Sequence, residues 1–310
     1  MKILITGGAG YIGSILTLRL LEKKYSVHVV DNFLYKQNSL SIACKYKNFS
    51  VEKTDVRNFD LLKNLYSKFV VIIPLAALVG APICAQDPVS ATHVNKTSVI
   101  EMVKSLSKDQ YILMPITNSG YGIGQKNVIY NETAPLNPIS LYGKDKVEVE
   151  NFIMSRDNSI SFRLATVFGM SPRMRIDLLV NDFVHRALID KTLVLYESSF
   201  VRNFIHVDDV ADVFIYAIEN LKKMNNEIYN VGLSNANLSK LQLALKIKKF
   251  IPDLNIIESQ TGKDPDQRNY IVSNEKIEKT GYKPIKSVED GIVELIKGYK
   301  TINNNVYGNV

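Results

Sequence analysis

Residues 1–15 read MKILITGGAGYIGSI, a short apolar run followed by glycines at 7, 8, 10 and 13. Ile3-Leu4-Ile5 has the length of a buried strand, and from Tyr11 to Leu21 apolar residues recur at helical spacing. The glycines therefore fall on a strand-to-helix turn. In a doubly wound sheet the first such turn sets free backbone N–H groups beside an anion. Glycines there let the main chain come close to a pyrophosphate with no Cβ in the way.

A glycine pattern of this kind is weak alone. Here it follows an expected strand, opens an expected helix and precedes Asp31, which closes the run Val27-His28-Val29-Val30. An Asp31 carboxylate can accept from both hydroxyls of an adenosine ribose, whereas a 2′-phosphate would meet like charge in a poorly solvated place. The expected cofactor is NAD rather than NADP. Asp31-Asn32 is also ordinary turn chemistry, the plainer reading of that pair.

Short apolar runs then alternate with amphipathic stretches. Strands are expected near 2–6, 26–31, 48–52, 70–75, 110–116 and 159–165, and helices near 11–24, 58–68, 88–106 and 139–156. The expected class is α/β, a doubly wound parallel (Rossmann) sheet over residues 1–165. Residues 166–310 read as a smaller α+β substrate lobe, with a helix at 175–190, strands at 192–196, 202–206 and 228–231, and helices at 207–223, 238–249 and 286–300. Within the lobe, 202–225 is a candidate to pack back on the first domain. The Asn-rich end reads as a frayed tail.

With 310 residues, 46% of them hydrophobic, the chain can bury a large core. Its net charge of +7 is scattered, with no block of like charges, which argues against a nucleic-acid partner and for small anionic ligands. The uncharged run from Phe69 to Ala85 is broken by Pro74, Gly80 and Pro82 and is too short to cross a bilayer, so no membrane segment is expected. The first residues lack a secretory signal's apolar stretch. Cys44 and Cys84 are too few for a disulfide framework, and His28, His93, His185 and His206 lack metal-ligand spacing. The expected setting is the cytoplasm, without a metal.

Tyr142 and Lys146 stand four apart in SLYGKDKVEVE (140–150) and so project from one face of a helix. A phenol is a poor base at neutral pH, but an adjacent ammonium and a cationic nicotinamide both favour the phenolate. Such a pair can take a proton from an alcohol as hydride leaves its carbon. The spacing alone is common, and an amphipathic helix with a surface lysine would explain it. PITNSGYG (115–122), directly after a buried strand and before this helix, adds Thr117.

With these motifs the chain resembles the extended short-chain dehydrogenase/reductase family, the nucleotide-sugar epimerases and dehydratases. The resemblance covers nearly the whole length. It rests on residues 6–13 (TGGAGYIG), Asp31, 54–56 (TDV), 75–77 (LAA), Thr117, Tyr142-x-x-x-Lys146, 163–169 (RLATVFG) and 202–210 (RNFIHVDDV). It implies that Thr117 holds the sugar hydroxyl being oxidised, that Tyr142 removes its proton, and that Lys146 holds the nicotinamide ribose. It implies a cofactor site of Gly7, Gly10, Tyr11, Ile12, Gly13, Asp31, Asn32, Asp55, Val56, Leu75, Ala76, Ala77, Asn95 and Ala165, together with Tyr142 and Lys146. For the substrate it implies a nucleotide-diphosphate sugar, with Arg202 on the diphosphate, Arg268 and Arg175 as further cations, and Thr166 at the sugar. A homodimer or higher homo-oligomer through the helices at 88–106 and 139–156 is a further implication.

Dehydratases of this family resemble Thr-Asp-Glu where this chain has Thr117-Asn118-Ser119, so loss of water across C5 and C6 is not expected. Oxidation at C4 leaves two outcomes, a 4-epimerase that returns the hydride and a dehydrogenase that releases the ketone. Residues 169–183 and 78–88 resemble family members acting on GDP-linked heptoses in capsule synthesis, which favours the dehydrogenase. Thr166 stands where UDP-hexose 4-epimerases commonly have Asn. From another class, a non-catalytic NAD-sensing module would have no use for Thr117, Tyr142 and Lys146 together.

Overall fold

The computed structural model describes residues 1–125, 128–260, 262 and 268–302. The tail expected to fray falls mostly on 303–310, outside the described residues. The chain runs β1 (Lys2–Thr6), α1 (Tyr11–Glu22), β2 (Ser26–Asp31), β3 (Phe49–Lys53), α2 (Phe59–Tyr66) and β4 (Val71–Pro74). It continues through α3 (Ala81–Gln86), α4 (Pro88–Thr92), a π-helical turn at His93–Thr97, α5 (Ser98–Lys104), β5 (Tyr111–Thr117), a 3₁₀ turn at Asn118–Tyr121, β6 (Ile129–Tyr130), α6 (Leu141–Ile153) and β7 (Ser159–Leu164). The second half holds β8 (Thr166–Phe168), α7 (Leu179–Ile189), β9 (Thr192–Tyr196), β10 (Val201–His206), α8 (Val207–Glu219), α9 (Leu221–Met224) and β11 (Glu227–Val231). It ends with β12 (Asn237–Ser239), α10 (Lys240–Lys248), β13 (Asn255–Ser259), β14 (Ile271–Val272), α11 (Glu275–Lys279) and α12 (Val288–Gly298).

Seven parallel strands form the central sheet in the order β11-β7-β5-β4-β1-β2-β3. Successive side chains of a strand point to opposite faces. Ile3 and Ile5 accordingly join α1 and α8 in one cluster through Leu16, Leu20, Ala211 and Phe214. Leu4 joins α2, α5 and α6 on the other face through Leu62, Met102 and Val149. The doubly wound class read from the sequence is the observed one. Three smaller sheets, β12-β10-β8, β13-β9 and β14-β6, hold the remaining strands, and the last pairs β14 of the second half with β6 of the first. No described helix is long and apolar enough to cross a membrane.

Elements that differ from expectation include the helix at 207–223, which is interrupted at Asn220 to give α8 and α9. The strand expected in the second lobe at 228–231 pairs with β7 and extends the first-domain sheet, since its buried Tyr229 and Val231 complete the core under α8. The helix expected over 88–106 runs without a break from Pro88 to Lys104, but as α4 and α5 joined through the π turn, within which the buried Asn95 pairs with the Leu78 backbone. The helix expected from 175 begins at Leu179, after a turn in which Arg175 and Asp177 pair with each other. Helix α3 starts within the uncharged run 69–85, where no helix is expected, and Gly80 and Pro82 mark its start.

Candidate active site

Strand order reverses at β1, from which β2 and β3 lead to one edge of the sheet and β4, β5, β7 and β11 to the other, and a cleft opens at the carboxyl ends of β1 and β4. The glycine turn sits there. Gly7 has φ +72°, its N–H donates to the Val30 carbonyl at 2.7 Å, and a Cβ on it would stand 2.4 Å from the Ala76 nitrogen. Only glycine serves at that position. Gly10 caps α1, and a Cβ on it would meet only the Gly7 carbonyl oxygen, at 3.1 Å, and otherwise fill the cleft.

Two cavities flank this turn. The first, about 280 Å³, is lined by Gly7, Gly10, Asp31, Asn32, Asp55, Val56 and the strand-end run 75–77. Each Asp31 carboxylate oxygen accepts one backbone N–H, from Ala9 at 2.9 Å and from Phe33 at 2.7 Å. Burial nevertheless holds its pKa above the usual carboxylate range. Asp55 is fixed by Arg57 through two contacts of 2.8 and 2.9 Å, which pull its carboxyl down to about 2.

The second cavity, about 470 Å³, shares Gly7 and Gly10 and brings together Thr117, Tyr142 and Lys146. Tyr11, Ile12, Gly13, Ala165, Thr166, Arg175, Arg202 and Arg268 also line it. Helix α6 starts where the Ser140 hydroxyl caps it by accepting from the Gly143 N–H at 3.2 Å. Its face then carries Tyr142, Lys146 and Glu150 in steps of one turn. The Lys146 ammonium donates to the Pro115 carbonyl at 3.2 Å and lies 6.0 Å from the Tyr142 ring centroid. Burial pulls Lys146 down to about 8, against Asp145. Burial also pushes the Tyr142 phenol up to about 12, against the pull of Arg175 and Arg268. The Thr117 hydroxyl is 2.8 Å from that of Ser119. Asn118 is buried, and neither of its amide atoms is hydrogen-bonded.

One expected cofactor residue stands apart. Asn95 is fully buried off both cavity walls, and its amide clamps Leu78 through contacts of 2.8 and 2.9 Å. It shapes the loop after β4 rather than facing the cleft.

Arg173, Tyr35 and Asp177 are among the cleft residues that the sequence does not single out. Arg173 and Tyr35 line both cavities, and Asp177 pairs with Arg175 at 2.5 Å. Behind α6, Glu150 and Arg163 form a buried ion pair at 2.6 Å. Arg163 also donates to the Tyr121 hydroxyl at 3.0 Å, which joins α6 to the turn following Thr117. Among the described residues one metal-capable trio converges, His206, Asp208 and Glu294. Its groups serve as a brace: Asp208 pairs with Arg19 at 2.8 Å, and Glu294 accepts from the Met170 N–H at 2.8 Å.

Residues 3–232 match the NAD dependent epimerase/dehydratase family. The chain belongs to that family and is an NAD-dependent enzyme. It is 26% identical over 315 residues to a protein of Methanocaldococcus jannaschii named putative UDP-glucose 4-epimerase, covering 98% of this chain and 99% of the relative. It is 23% identical to human dTDP-D-glucose 4,6-dehydratase, covering 96% and 90%. The UDP-glucose 4-epimerase of Thermotoga maritima superposes with a TM-score of 0.82 at 25% identity, covering 97% of this chain and 99% of the other. Pal from Bacillus thuringiensis superposes at 0.85 with 23% identity over 97% and 99%.

Proposed function

We propose that the protein oxidises C4 of a nucleotide-diphosphate sugar with bound NAD and returns the hydride to the opposite face, a 4-epimerase. The observation that carries this reading is the gathering of Thr117, Tyr142 and Lys146 around one cavity with the glycine turn. The residues fit NAD: Gly7 and Gly10 leave room for a diphosphate, and Asp31 suits a ribose diol and repels a 2′-phosphate. The bound nicotinamide supplies the hydride acceptor.

The chain's own groups do the rest. Thr117 holds the C4 hydroxyl, Tyr142 accepts its proton, and Lys146 sits on the nicotinamide ribose. With the phenol at about 12, Tyr142 becomes a base only when positive charge is added beside it, which ties proton removal to a loaded cofactor site. Arg202 and Arg268 meet the substrate diphosphate, since buried phosphate charge without a cation would be prohibitive. Neither Asn118 nor Ser119 can act as acid or base, which weighs against dehydration although dehydratases are among the relatives.

Thr166 on the cavity wall supports a second reading, C4 dehydrogenation of a GDP-linked heptose with release of the ketone. The resemblance of 78–88 and 169–183 supports it too. A homodimer through α4, α5 and α6 belongs with either reading.

Product analysis on a panel of UDP- and GDP-linked hexoses and heptoses separates the two readings. A C4 epimer supports the first, and a 4-keto sugar with reduced cofactor supports the second. Tyr142→Phe should lower kcat by about 10²–10⁴-fold with NAD still bound. Unchanged turnover in that variant would remove both readings.

A further inference from the structure

The Tyr35–Arg173 contact crosses the cleft. The Arg173 guanidinium carbon lies 3.7 Å from the Tyr35 ring centroid, and Arg173 is 2% exposed. Tyr35 comes from the loop after β2 and Arg173 from the segment after β8. Both residues line both cavities, as do Gly7 and Gly10. The stack therefore stands at the waist where the cavities meet, with the glycine turn.

Neither partner sits on a free arm. In the Tyr35 loop, Phe33 and Lys36 hold the left-handed conformation at φ 55° and 53°, and the Lys36 N–H donates to the Phe33 carbonyl at 3.0 Å. Two such non-glycine residues within four positions mark a loop held in shape by its surroundings. On the other side, Ser171 donates to the Tyr11 carbonyl at 2.7 Å and lies 3.1 Å from Ser14, which pins the Arg173 segment to the first turn of α1.

The geometry points to this stack as the clamp that holds the dinucleotide's diphosphate and sets how slowly the cofactor leaves. The inference rests on the cofactor half of the proposed function and is independent of which sugar reacts. A dinucleotide with its ribose at Asp31 and its nicotinamide near Tyr142 occupies both cavities and so passes through the waist. There the glycine turn offers N–H groups but no charge. Arg173, whose guanidinium also donates to the Met174 carbonyl at 3.2 Å, supplies a permanent cation on the facing side. Stacking on Tyr35 keeps the planar guanidinium from swinging aside. Release of the dinucleotide then requires the stack to part.

The test uses the full chain and reads cofactor rather than product. Arg173→Met, Tyr35→Ala and Tyr35→Phe are purified beside the parent. NAD freed by denaturation is quantified, and the release rate is followed by chasing bound NAD with labelled NAD. The parent should co-purify with NAD. Arg173→Met and Tyr35→Ala should release it roughly tenfold faster or more, and Tyr35→Phe should match the parent. Parental release from both Arg173→Met and Tyr35→Ala overturns the clamp. So does a parent that exchanges NAD freely, and so does equal loss in Tyr35→Ala and Tyr35→Phe, which would assign the effect to the hydroxyl. If Arg173→Met fails to fold, the Tyr35 pair decides. Failure of the C4 reading would appear in the products and leave these rates unchanged.

Discussion

The wall made by β1, the glycine turn and α1 meets the cavities through Gly7, Ala9, Gly10, Tyr11, Ile12 and Gly13, with no charged side chain among them, whereas the facing wall presents Arg173, Arg175, Arg202 and Arg268. One wall holds its ligand by how closely backbone approaches, and the other by charge. A single added carbon should therefore be ruinous on the first wall and removal of a charge near its rim harmless, while on the second the weights are reversed.

Gly7→Ala tests this contrast most severely. It forces a side chain into positive φ and a carbon to within 2.4 Å of the Ala76 nitrogen, for a loss of about 3 kcal/mol or more in stability together with bound NAD. Parental melting and parental NAD content in that variant would break the contrast.

Lys146, between the walls, gives the next largest effect. Its folded pKa of about 8 lies below its ordinary 10.5, so the unfolded chain binds its proton more tightly. The resulting penalty, about 3 kcal/mol, is fully present below pH 8 and disappears as pH rises through 10.5. Stability of the cofactor-free parent should rise over that window relative to Lys146→Met, as read by urea midpoints. Parallel midpoints would mean that the ammonium is better solvated than its burial implies.

Arg202→Ala should raise the KM for the sugar nucleotide about ten- to a hundredfold and leave NAD content unchanged. An unchanged KM would take Arg202 out of the charged wall. The smallest effect is expected from Arg57→Ala. Its pair with Asp55 is partly exposed, and its removal should cost under about 1 kcal/mol by thermal melting. Asp55 is held down to about 2, so what the pair contributes is present above the ordinary carboxylate range and fades as pH falls toward 2. A large loss at pH 7 would show that charge matters on the first wall as well.

This division also explains what could be read in advance. The first wall is one local pattern, strand, glycines and helix in consecutive residues, and such patterns survive in a bare sequence. The Tyr142-Lys146 face is legible for the same reason. Arg173 carries no such local signal, since its contact is with Tyr35, a distant residue that only folding brings within 3.7 Å. The neighbours of Arg175 are apolar at helical spacing and point to a helix there, yet Arg175 pairs with Asp177 and the helix starts at Leu179. The π turn at His93–Thr97 follows from what the Asn95 amide meets on Leu78, which residue spacing does not encode.

Strand β11 bears on how the protein is made. Its edge partner β7 ends at Leu164, but Glu227–Val231 must emerge from the ribosome before that flank is covered. Throughout the interval the nascent chain presents a bare row of amides and carbonyls to its neighbours. Synthesis stalled in this interval, or a fragment cut after residue 165, would invite aggregation through that flank.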